Sequence, residues 1–160
     1  MSKGFILAVI LCVFLCMNAG ASMITFYLIE TGVSEDGPDN QHSVLWENAF
    51  LDVFFDAGFI VSNAPILSPS RKPQGDILRF VDIDEALVGG TDYIIVGVLD
   101  YTGSLQAARE VDLFIYRLSP QEKILERKVE RSPSRSSADE YNYMKSIARG
   151  LVTNIEQSLR

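Results

Sequence analysis

The segment Thr91–Tyr101, TDYIIVGVLDY, constrains the fold of this chain more than any other. Its apolar residues, Tyr93, Ile94, Ile95, Val96 and Val98 among them, fall on both alternating sets and break any simple in/out pattern. A strand of this kind has no face to spare for water, so it lies inside a sheet with helices packed against it. Gly89-Gly90 just before it can end a short helix. Gly97 lets a neighbour approach the backbone closely.

The remaining elements assemble around that strand. Met23–Ile29 is β-rich. Ser43–Ala57 places Leu45, Trp46, Ala49, Phe50, Val53 and Phe54 at helical spacing, and Gly58 ends the helix. Phe59–Ser62 reads as a short strand. The segment 63–75 carries Pro65, Pro69 and Pro73 and reads as a long exposed loop. Asp76–Val88 reads as one helix or helical turn, with its acids near an N-terminus.

Val111–Leu118 is the next strand, Ser119–Lys123 a hairpin loop, and Ile124–Arg131 a charged edge strand. Ser137-Ala138-Asp139-Glu140 reads as a capping box that opens a last helix running to near Arg160. The fold class expected is α/β (α+β): a single mixed sheet of about four or five strands with helices packed on it. Its order is β-α-β-α-β-β-β-α.

Residues 1–21 read as a signal peptide, with Lys3, an apolar run Phe5–Cys16 and Ala19-Gly20-Ala21 before Ser22. A single domain then spans 22–160, exported and periplasmic. Two rivals exist. Acylation of Cys16 would make a lipoprotein, against which Leu15 precedes the cysteine. An uncleaved anchor would use the stretch from Lys3 to Glu30, which holds no charge. The membrane is a partner only in those two cases. Both cysteines, Cys12 and Cys16, lie in the leader, so the domain has no thiol chemistry. The net charge of −7 argues against nucleic acid as a partner.

No motif states a reaction. His42, the one histidine, stands outside any triad spacing and reads as a capping or surface residue. Gly89-Gly90 lacks the Lys-Ser/Thr of a phosphate loop. The acids in 34–40 and at Asp82, Asp84 and Glu85 read as a solvated loop and a helix start, so neither a metal nor another cofactor is expected. An enzymatic alternative, a small-ligand or metal-dependent site, would use Asp82, Asp84 and Asp100 with Tyr101. Tyr101, Tyr116, Tyr141 and Tyr143 read as half-buried tyrosines rather than one stacking surface. A protein partner would meet Arg71 and Lys72 in the long loop, or Arg127 on the edge strand.

The segment Ala86–Gly97 (a short helix, glycines, Asp-Tyr, an apolar strand, Gly) resembles that of bacterial envelope modules. These are the TolB N-terminal domain, the CsgG periplasmic domain and the LpoB-like activators of penicillin-binding proteins. Gly90, Asp92, Tyr93 and Gly97 carry the likeness. The resemblance implies a structural role for those four residues. It also implies non-enzymatic work by contact with an envelope protein.

Overall fold

The computed structural model describes residues 21–33, 41–69, 71, 73–103, 107–129 and 136–159. The leader to residue 20, the acidic loop 34–40, Lys72 and the connector 130–135 lie outside the described residues. The elements are β1 (Met23–Thr31), α1 (Gln41–Asp56), β2 (Ile60–Asn63), a 3-10 turn (Ile77–Phe80), α2 (Ile83–Val88), β3 (Tyr93–Asp100), β4 (Glu110–Leu118), β5 (Gln121–Val129) and α3 (Ser137–Ser158). They form one mixed sheet in the order β2-β1-β3-β4-β5. β1 pairs parallel with β2 and β3, and the other pairs are antiparallel.

β3 is the middle strand, and its double apolar pattern is satisfied on both faces. Tyr93, Ile95 and Leu99 join the core under α1 and α3. Ile94, Val96 and Val98 join a smaller core under the 3-10 turn and α2. At Gly97, a Cβ would come within 2.8 Å of Leu28 Cδ2, so the glycine makes room for its neighbour on β1.

On the thicker face, Phe50 stacks on Phe26 with ring centroids 4.8 Å apart, and Phe54 meets Phe59 edge-on at 5.7 Å. Met144, Ile147, Ala148, Leu151 and Ile155 of α3 complete this core. α1 and α3 run alongside each other, opposite in direction to β3. Their starts meet near Tyr101, and Ser158 at the end of α3 meets Tyr93.

Several boundaries differ from the sequence expectation. The 76–88 segment is not one helix: Val81 is extended between two short ones. Asp76 accepts from Leu78 N (3.1 Å) and Asp82 from Glu85 N (2.9 Å), so each aspartate caps its own turn. β5 starts at Gln121, three residues earlier than expected, because Leu118 pairs with Gln121 and Arg117 forms an ion pair with Glu122. A register shift between Ile115 and Tyr116 then absorbs one residue of β5.

The proline-rich loop is not wholly free. Leu67 N donates to Leu28 O (2.9 Å) and Glu30 N to Leu67 O (2.7 Å), so its first part follows β1 beyond β2. The α3 cap is Ser136, not Ser137. Its Oγ accepts from Asp139 N at 3.1 Å. That shift leaves Glu140 outside the cap.

Candidate functional site

The densest polar cluster lies past the C-terminal end of β3. Tyr101 turns inward and is fully buried. Its hydroxyl is 2.7 Å from Ser43 Oγ and 3.0 Å from His42 Nδ1. His42 Nε2 is 2.9 Å from Glu140 Oε1. The first turn of α1 thus supplies His42 and Ser43, β3 delivers Tyr101, and the first turn of α3 supplies Glu140.

The backbone sets the proton positions. Ala108 N–H points at His42 Nδ1 (3.4 Å), so that nitrogen is the acceptor. The ring proton is then on Nε2 and donates to Glu140. Tyr101 donates to Nδ1, and Ser43 donates to Tyr101. Burial pushes the Tyr101 phenol well above its ordinary range. The Ser43 hydrogen bond opposes that shift, while the charges of Glu30 and Glu140 add to it. The phenol stays protonated and serves as a donor.

Carboxylate, imidazole and hydroxyl in sequence are the parts of a proton relay. Here Ser43 and Tyr101 are both sealed from solvent, so neither hydroxyl is open to a substrate in this arrangement. What the cluster does is tie both long helices to the end of β3. His42 is therefore neither a cap nor a surface residue, contrary to the sequence expectation. A narrow recess beside it is lined by Trp46, Arg109, Glu140, Tyr143 and Met144. Trp46 Nε1 is buried with no hydrogen-bond partner among the described residues.

Gly90, Asp92, Tyr93 and Gly97 lie in the turn into β3, at its start and along it. Asp92 Oδ2 accepts from Met23 N at 2.8 Å, and Asp92 N donates to Met23 O at 2.8 Å, which pins the start of β1 to that of β3. Tyr93 Oη lies 3.3 Å from Ser158 Oγ, tying in the end of α3. Gly90 has φ +82°, which the turn from α2 into β3 requires. Gly97 makes room for Leu28.

The basic residues are not brought together. Arg71 is exposed four residues beyond Leu67, on the β2 side of the sheet, while Arg127 is exposed on β5 at the opposite edge. The acids of the enzymatic alternative are also apart. Asp82 lines a shallow cleft with Gln121 at the β4–β5 turn, whereas Asp100 closes the other end of β3, holding Thr102 N at 2.9 Å. Among the described residues no acidic, histidine or cysteine group is arranged to hold a metal.

The tyrosines are equally dispersed. Tyr116 stacks on Phe114 under the thin face, and burial pushes its phenol up to about 12. Tyr141 donates to Asp52 (2.7 Å) on the other face. Sequence reasoning missed the union of His42, Tyr101 and Glu140, because residues 59 and 98 positions apart carry no local spacing signal.

A family model described as "Uncharacterised protein" matches residues 25–130. No curated protein matches the chain. Among solved structures, it is similar to TolB from Acinetobacter baumannii, with 16% identity and TM-score 0.48, over 88% of this chain and 28% of that one. It is similar to the dodecamer of a PelC variant from Paraburkholderia phytofirmans, with 13% identity and TM-score 0.47, over 84% and 88% of the two chains. It is also similar to protein XCC0632 from Xanthomonas campestris, with 13% identity and TM-score 0.41, over 86% and 87%. The chain thus spans little more than a quarter of the TolB chain.

Proposed function

We propose, from the premise that this chain belongs to the family whose model spans residues 25–130, that it is an exported, non-enzymatic interaction module of the bacterial cell envelope. It works in the periplasm as an assembly or regulatory factor, through contact with another envelope protein. The observation that carries the reading is the outer edge of β5. That strand pairs with β4 alone among the described residues, so one row of its backbone donors and acceptors faces outward.

Glu122, Lys123, Glu126, Arg127 and Lys128 are exposed along the strand. Mixed charge of this kind discourages pairing between like copies and selects a partner strand of complementary charge. The leader pattern at 1–21 supports export. The sealed hydroxyls of Ser43 and Tyr101 support a role without chemistry.

The test is a photo-crosslinking residue in place of Glu126, compared with one in place of Arg71, in intact cells. A discrete envelope protein crosslinked at Glu126 and lost on Arg127→Glu is the expected result. A clean gel at both positions overturns the reading. The mass of the recovered chain tests export separately, with a start at Ser22 expected.

A further inference from the structure

The charged side chains of β5 are matched within the domain, with one exception. Glu122 pairs with Arg117, Lys123 with Glu126 at 2.6 Å, and Lys128 with Glu110 at 2.9 Å. Arg127 makes no ion pair with any described residue. Its guanidinium reaches over α3, where a Cβ on Gly150 would lie 3.7 Å from Nη1.

The register with β4 sorts these side chains onto two faces. Leu125, Arg127 and Val129 stand opposite Ile115, Leu113 and Val111, which belong to the core under α1 and α3. Glu126 and Lys128 stand opposite Phe114 and Asp112, on the thin face. The thick side of this edge therefore presents an unmatched cation between two apolar side chains. The thin side presents charges that are already matched.

We propose that the strand received by β5 carries a glutamate opposite Arg127, with an apolar residue two positions to either side and uncharged polar residues between. This deepens the reading of β5 as an interaction edge and rests on it. Directly opposite residues on paired strands share a face, so the glutamate meets the guanidinium and its apolar neighbours meet Leu125 and Val129. The pattern reads the same in both directions, so it holds for a parallel or an antiparallel strand. Glutamate suits the position better than aspartate, because Arg127 reaches away toward α3 and the longer side chain can follow it. The β5 of a second copy does not fit: between its Leu125 and Val129 stands Arg127, a like charge, and its Glu122 is held by Arg117.

The test titrates the chain as recovered from cells with the capped peptide Ser-Val-Thr-Glu-Thr-Val-Ser, following the β5 amides by NMR. An affinity about three-fold higher than that of the same peptide with glutamine at its centre is expected. The preference is expected to vanish in Arg127→Gln and to shrink as salt rises. The rearranged peptide Ser-Thr-Val-Glu-Val-Thr-Ser has the same composition. It is expected to bind more weakly, because its valines leave the face of Leu125 and Val129. Equal affinity for the glutamate and glutamine peptides, or for the rearranged one, overturns the proposal and leaves the edge reading standing. No movement of any β5 amide with any peptide overturns both. A dimer of the chain that is lost on Arg127→Gln gives the edge to a second copy and also overturns the proposal.

Discussion

The two faces of the sheet have the same kind of strand surface and very different cover. One face carries α1 and α3, helices of sixteen and twenty-two residues, with an aromatic stack at its centre. The other carries a four-residue 3-10 turn and a six-residue α2. Ile94, Val96 and Val98 are nevertheless as dry as Tyr93, Ile95 and Leu99. Dryness thus needs little cover, but resistance to opening needs much, since a short element has few contacts to lose when it lifts.

Substitutions can break that comparison. Phe50→Ala empties the centre of the thick face and is expected to lower unfolding stability by ~3–5 kcal/mol in a denaturant titration. Leu78→Ala, on the thin face, is expected to cost about 2 kcal/mol, because the short cover can settle into the space. An equal loss for the two would show the thin face to be as rigid as the thick one. Hydrogen exchange sharpens the point: amides of α2 should exchange before those of α1 and α3.

His42→Ala leaves Tyr101, Ala108 N and Glu140 short of a partner, and is expected to cost roughly 1–2 kcal/mol. Near-UV circular dichroism of the aromatic core checks whether the starts of α1 and α3 loosen together.

The smallest effect concerns the exposed link between α1 and α3. Tyr141 donates to Asp52, and that hydrogen bond, opposed by slight burial and aided by Lys145, holds the Asp52 carboxyl below its ordinary value. Its contribution is present above the unfolded carboxylate value and is lost as pH falls through the lower folded one. Tyr141→Phe should move the Asp52 titration upward by NMR while changing stability by less than roughly 0.5 kcal/mol.

The sheet was legible because its central strand is apolar on both alternations, and α1 because its aromatic residues recur at helical spacing. The α3 cap was misplaced by one residue for a physical reason. Ser136 and Ser137 each have an acid three residues on, Asp139 and Glu140, so the cap rule fits both. The partly buried bond between His42 and Glu140 occupies the second acid, and no local pattern carries that information. The ride of Leu67 along β1 was hidden in the same way, since proline and serine content describes a loop's composition and not the strand edge it meets.

The pinning of Met23 by Asp92 has a mechanical consequence. β1 lies between two parallel neighbours, held to β2 over Met23–Phe26 and to β3 over Ile24–Thr31. A pull on the chain ahead of Ser22 is directed along the axis of β1. The hydrogen bonds of both ladders lie across that axis, so they meet the force in shear and share it, instead of parting one by one as in a zipper. Tension that enters the domain at Met23 is thus carried by two ladders at once.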